Sequence, residues 1–357
     1  MQTLRVALTL CAIVLAAVDA RAQHCGGPCE VPRPAGPPVS PNPRFTLSEG
    51  AERADWRYLH NFYWTEDGEP LFQLEQTLSS PDLIFGQRRI FLSPAGNGFL
   101  VTGNPYVESP GTPPDPSLFV FCRRDGTPLV RVRLEDALTE EELVRGPCPS
   151  DCGCEDVLYV FEQDATLSAN QAFVDVVAAG SGRSLSVFLP LGAPVEDRAA
   201  FELRLAALDW ARVPADLRDE RRAQIDSLVA DLDDPDDAVR AAAEEGVIAA
   251  GYLALPALRG RLAQELDAER ARRVRLVEAR LRPWADVGFE RMSIDLDLLG
   301  ALSTDPDASV AAAARARLIE ILPGTQTQDW PGWIDAHRGR LRWDRSEGRY
   351  ESEPLPR

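Results

Sequence analysis

Residues 225–262 read IDSLVADL (225–232), DDPDD (233–237), AVRAAAEEGVIAAG (238–251) and YLALPALRGRL (252–262). Apolar residues recur at helical spacing on both sides of an acidic, proline-containing break, which predicts a helix–turn–helix unit. A second break, Thr304-Asp305-Pro306-Asp307, leads into Ala308-Ser309-Val310. The two Asp-Pro-Asp triplets lie 71 residues apart, two periods of about 35. Asp267-Ala268-Glu269-Arg270 lies between them, and Val239, Val274 and Val310 follow the three breaks at spacings of 35 and 36. Self-similarity at that period predicts helical hairpins lying side by side, each burying its apolar stripe on its neighbour. Within each break, Asp234 and Asp305 are expected to cap the next helix. Pro235 and Pro306 would then take the first helical position, where no N–H is needed, and Asp236, Asp237 and Asp307 would sit near the positive end of the helix dipole.

The run D-D-P-D-D-A-V-R-A-A-A, followed by L-A-L-P-A-L-R, resembles a bacterial HEAT-like repeat of the kind also found in phycobilisome-lyase-type proteins. The resemblance covers roughly residues 223–325, and it implies an α-solenoid whose surface binds another protein. The arginine after the valine is present at Arg240 and Arg275 but is Ala311 in the last unit. At the C-terminal end, Trp330 and Trp333, then Arg338, Leu341, Trp343 and Asp344, are similar to the W-x-x-W…R-x-x-L-x-W-D ending of exported HEAT-like proteins. These tryptophans are expected to cover the exposed stripe of the last repeat.

At the other end of the chain, Arg5, the apolar run Val6–Val18 and the triplet Ala20-Arg21-Ala22 read as a signal peptide over residues 1–22. Thirteen apolar residues are too few to cross a bilayer. No later segment is long and apolar enough to do so, so the chain is expected to be exported, periplasmic or extracellular, without membrane insertion after cleavage. All 38 basic residues are arginine, which rules out P-loops, lysine Schiff bases and Ser–Lys dyads. Loss of residues 1–22 takes the net charge from −18 to −19, and such an acidic surface argues against nucleic acid as a partner.

Six cysteines remain after cleavage: Cys25, Cys29, Cys122, Cys148, Cys152 and Cys154. An even number in an exported chain is read as structural disulfides of unknown pairing. The alternative is a metal-binding or redox module on Cys148, Cys152 and Cys154, because clustered thiolates chelate soft metals.

Seven prolines within Pro28–Pro43 predict an extended spacer. Residues 45–195 carry short alternating runs joined by turns such as Asp67-Gly68, Asn97-Gly98 and Asp125-Gly126, the signature of antiparallel hairpins. A meander folded into a sandwich or half-barrel is expected, interrupted by a short helix over Leu134–Arg145 with Thr139 and Glu142 as a capping box.

Catalytic signatures are sparse. His24, His60 and His337 belong to no metal-ligand motif, and Gly180-Ser181-Gly182 lacks the flanks of a nucleophile elbow and reads as a turn. The acidic run Asp231–Asp237 departs from an EF-hand at Asp236 and Ala242. The expected organisation is α+β: signal peptide 1–22, proline-rich linker 23–44, β-rich domain 45–195, connecting helices 196–222, HEAT-like repeats 223–325 and a Trp/Arg-rich cap and tail 326–357. The expected function is a non-catalytic, exported scaffold for an unidentified protein partner. No catalytic, cofactor or metal residues are assigned.

Overall fold

The computed structural model describes residues 38–49, 62–73, 88–103, 117–146, 157–159 and 165–352, apart from 125, 143, 179, 265, 286, 345 and 346. Antiparallel sheets occupy the N-terminal half and helices the C-terminal half. Strands β1 (Phe45–Glu49), β2 (Phe62–Glu66) and β3 (Glu69–Gln73) form one meander. A second comprises β4 (Arg88–Leu92), β5 (Gly98–Gly103), β6 (Ser117–Arg123) and β7 (Pro128–Arg133). After helix α1 (Leu134–Ala137), β8 (Val144–Gly146) pairs with β9 (Val157–Tyr159). The third meander is β10 (Thr166–Leu167), β11 (Phe173–Val177), β12 (Ser184–Phe188) and β13 (Ala193–Val195). Asp67 and Gly68 turn β2 into β3 with φ of 53° and 84°, the left-handed pair that a tight hairpin requires.

Alternation along the strands decides how the sheets stack. Phe91, Leu100, Phe119 and Phe121 of the second meander share one buried core with Val174, Val176 and Val187 of the third, as two layers of a sandwich do. The opposite face of the third sheet is also covered. Phe173 and Phe188 meet each other in a tilted ring contact at 5.5 Å and pack edge-on against Phe201 at 6.2 and 5.1 Å, within the core of the helical half. The third sheet is therefore the middle layer.

The helices are α2 (Arg198–Arg212), α3 (Arg218–Asp231), α4 (Asp237–Ala250), α5 (Leu255–Leu262), α6 (Ala268–Glu278), α7 (Leu296–Leu302), α8 (Ala308–Ile321) and α9 (Trp330–His337). A terminal hairpin, β14 (Leu341–Asp344) with β15 (Arg349–Ser352), follows. Three helical hairpins are formed, α3/α4, α5/α6 and α7/α8. The first two stack, α3 on α5 and α4 on α6. The third pair finds its main partners elsewhere, in α9 and β13, so an evenly stacked solenoid over 223–325 is not what the contacts describe.

The valine period is corrected with it. Val239 is 38% exposed whereas Val274 and Val310 are buried. The caps show that the three valines are not equivalent: Asp236, Asp267 and Asp307 begin α4, α6 and α8, at intervals of 31 and 40 residues rather than 35 and 36, which puts Val274 one turn further from its cap than Val239 and Val310. Counted from the caps, the equivalent stations are Ala243, Val274 and Ala314, then Ala250, Leu281 and Ile321, all buried. The capping residue is also one proline later than expected. Asp234 and Asp305 instead accept the N–H of Asp236 and Asp307, at 2.8 and 2.9 Å, forming an Asx turn over the proline. Pro235 and Pro306 therefore lie in the turn, outside the helix. The arginine missing at Ala311 is replaced one turn later. Arg240 donates to the Asp234 carbonyl and Arg315 to the Ser303 carbonyl, so both hairpin turns receive a guanidinium.

Other boundaries move too. The division at residue 222/223 cuts α3, and α2 is a central helix rather than a connector, with Phe201, Leu205 and Ala206 fully buried. The helix expected over Leu134–Arg145 is α1, a 3-10 turn at Glu140–Glu142 and then a strand. The end of the proline-rich segment is built in: Val39 exchanges backbone hydrogen bonds with Ile90 and Leu92, both 2.8 Å, and Asn42 donates to the Pro94 carbonyl. The helical stretch Asp237–Leu262, though broken at Gly251, is by length and composition long enough and apolar enough to cross a membrane, contrary to the expectation that nothing beyond the leader would be. Half of its most apolar stretch is buried within the protein. In the C-terminal segment, Trp330 and Ile334 of α9 are buried against the helical core, and Tyr350 donates to the Ile294 carbonyl at 2.8 Å.

Candidate functional site

Pro214 starts the site. It holds Val213 extended (ψ 124°) and ends α2, because the residue before proline avoids the helical region. Arg218 then folds back onto the exposed end of α2, donating to the carbonyls of Val213 and Ala211, which are among the groups a helix terminus leaves without partners. A second break follows α4, where Gly251 takes φ 61° and ψ −143°, a combination essentially confined to glycine. A Cβ there would lie 2.5 Å from the Arg282 carbonyl oxygen. The freed turn 251–254 is pinned on two sides: Trp210 Nε1 donates to the Leu253 carbonyl at 3.0 Å, and the Tyr252 N–H to the Arg282 carbonyl at 3.2 Å.

These two breaks and the loop after α6 enclose a partly open cleft of about 400 Å³. Val213, Pro214, Leu217, Ala250, Leu253, Ala285 and Val287 supply apolar wall, and Asp209, Arg212, Arg221 and Trp284 the polar and aromatic groups. That size, with mostly apolar walls and a few placed polar groups, is typical of a small-ligand or peptide-side-chain site.

Trp284 is the unusual residue in it. Its φ is +60°, where a bulky residue is an outlier that costs about 1–3 kcal/mol. Two contacts and its burial hold it. Its backbone N–H donates to Asp209 Oδ2 at 3.1 Å, the Arg212 guanidinium lies 4.9 Å from its ring centroid, and the side chain is 2% exposed. Its indole N–H is buried without a hydrogen-bond partner among the described residues. Backbone strain of this kind clusters at active sites and ligand clamps, and a buried donor without a partner calls for an explanation such as a role in binding. Asp209 is buried as well, and Arg212 is tied to Asp295 by a 3.0 Å ion pair.

A second cluster lies where the middle sheet meets the helices. Arg198 bridges Asp175 (2.7 Å) and Glu202 (3.0 Å), while its guanidinium stacks 4.4 Å over Phe173. Arg259 bridges Glu202 (2.7 Å) and Glu278 (2.8 Å). Buried Tyr252 donates to Glu202 and accepts from Asn170. Burial first, then the Glu202 charge, push the Tyr252 hydroxyl far above its ordinary value of 10, so it stays protonated. Every member here has partners within the protein, and the cluster acts as a tie between layers.

Of the residues singled out from sequence, Cys25, Cys29, Cys148, Cys152 and Cys154 lie outside the described residues. Cys122 is buried on β6, opposite Phe99 of β5. His24 and His60 also lie outside, and His337 stacks on Trp333 with centroids 4.1 Å apart. Gly180-Ser181-Gly182 is the β11–β12 turn, as read, with Ser181 donating to Glu142. Among the described residues no three His, Cys, Asp or Glu side chains gather as a metal-ligand set. None of the cleft residues was singled out from sequence. The available signal was R-P-W-A-D-V-G at 282–288, a proline- and glycine-flanked tryptophan in a long helix–helix connection, where functional loops concentrate. No family model, no curated protein and no solved structure matches this chain.

Proposed function

We propose that the protein is a non-catalytic, exported binding protein whose helical half is an interaction scaffold, with the cleft around Trp284 as the receptor for a segment of its partner. The carrying observation is the strained, orphan-donor Trp284 on the floor of an apolar cleft of about 400 Å³. The lining supports recognition rather than bond chemistry: among the described residues it holds no serine, cysteine or histidine, and its buried carboxylate is engaged by a backbone N–H. The HEAT-like resemblance of residues 223–325 and the leader-like residues 1–22 support the scaffold role and export, and structural disulfides belong to the same proposal.

The test is a cleft-filling variant. Peptides selected from a displayed random library on the full-length secreted protein are titrated against wild type and Ala285→Trp by fluorescence anisotropy. The expected result is at least a tenfold loss of affinity in the variant with unchanged circular dichroism. Undiminished binding by a well-folded Ala285→Trp rejects the cleft as the receptor.

A further inference from the structure

We infer that the cleft takes the C-terminal residue of a peptide, with its apolar side chain against Trp284 and Leu253 and its free carboxylate on Arg221. This deepens the binding reading above and rests on it. Of the described lining residues, two besides Asp209 carry charge, and both are guanidinium-bearing. Asp209 is buried and engaged by the Trp284 N–H, and Arg212 is committed to Asp295 and the indole face. Arg221 differs. Among the described residues its one hydrogen-bond partner is the neutral Gln224 amide, 3.0 Å away. In a chain of net charge −18, most arginines of the helical half have found a carboxylate, yet among the described residues none of Arg218, Arg221 and Arg222 forms an ion pair. A cation left at the rim of an apolar cleft complements an anion carried next to an apolar group.

Charge and burial orient the ligand. Of the two arginines in the described lining, Arg221 is the one whose partner is a neutral side chain, so the anion belongs at the Arg221 rim and the apolar side chain against the apolar wall. Leu217, 47% exposed at the mouth, extends the apolar contact outward. A cleft of about 400 Å³ holds one or two residues, which suits a chain end better than a segment that must enter and leave.

The test uses labelled hexapeptides ending in Val, Leu or Phe, each as free acid and as C-terminal amide, with wild type, Arg221→Gln and Ala285→Trp, all full length. Free acids are expected to bind wild type at least tenfold tighter than amides, and Arg221→Gln to bind both forms equally, at the level of the amides. Raising salt from 0.05 to 0.5 M should weaken the acids and spare the amides. Equal binding of acid and amide by wild type, with Ala285→Trp still abolishing both, overturns the carboxylate assignment and leaves the binding cleft standing. A free-acid preference that survives Arg221→Gln overturns the role of Arg221. Binding of 3-phenylpropionate as tight as that of the peptides makes the ligand a small acid and overturns the peptide assignment. No binding in any arm, including the amides, removes both readings.

Discussion

Glu142 shows what a single side chain contributes to joining the layers. It follows the second meander and receives the turn of the third. Arg183 donates to both carboxylate oxygens at 2.6 and 2.8 Å, Ser181 to one at 2.8 Å, and the Thr139 N–H to the other at 2.9 Å. Gly180 is needed for this approach, since a Cβ there would collide with the Glu141 carbonyl oxygen. The Arg183 hydrogen bonds, against the opposing effect of burial, hold the Glu142 carboxyl at about 2, below its ordinary 4.5. The unfolded chain therefore takes up this proton first as pH falls. The contribution is complete above pH 4.5 and is lost progressively down to pH 2. Glu142→Gln should lower stability at pH 7 by about 1–2 kcal/mol, a value discounted because Arg183 is half exposed. The gap between wild type and variant should close as pH drops from 4.5 to 2. Urea unfolding at several pH values measures it, and a gap that does not change with pH contradicts the assignment.

At the level of elements, the helix starts test which part of the repeat is structural. Asp236 and Asp307 are equivalent caps, each accepting a first-turn N–H. Asp307 also accepts the Glu196 N–H at 3.1 Å and so ties α8 to the strand β13 side of the middle sheet. Removing an N-cap costs about 1 kcal/mol, so Asp236→Ala should cost about that much. Asp307→Ala should cost about 1 kcal/mol more, because a tertiary hydrogen bond goes with the cap. Thermal unfolding of the two variants side by side checks the difference, and equal losses would mean the Glu196 contact contributes nothing. This pair also marks how far the sequence could be read. The Asp-Pro-Asp triplets announce both turns correctly because a turn is local chemistry. Which aspartate caps is decided by whether the proline falls inside or outside the helix, and both assignments satisfy the same local rules. The valine spacing misled for a related reason. Val239 and Val310 sit at the same station from their caps, but α8 is covered there by its neighbours and α4 is not. The cleft was invisible for a third reason: Asp209, Leu253 and Trp284 are far apart in the chain and meet only because two helix breaks turn toward each other.

For the whole molecule, the question is whether the β half and the helical half are separable, as a domain boundary at residue 195/196 implies. The middle sheet argues that they are not. Phe173 and Phe188 turn one face of β11 and β12 toward Phe201, while Val174 and Val187 turn the other toward the second meander. Asp175, on the helix-facing side, accepts from Ser186 and pairs with Arg198 of α2. Deleting residues 223–325 to test the scaffold would take Tyr252, Leu255 and Leu258 out of the core they share with Phe173, Phe188 and Phe201. Loss of binding on such a deletion would report unfolding as readily as loss of a surface. A point change in the shared core is more informative. Phe201 is fully buried, and Phe201→Ala should cost about 3–5 kcal/mol. Because the sheet and the helices lean on the same ring, hydrogen exchange should show reduced protection in peptides from 88–103 and from 237–262 alike, by the same free energy. Protection lost only in 237–262, with 88–103 unchanged, would show that the sandwich stands without the helices and that the cleft belongs to an independently folding half.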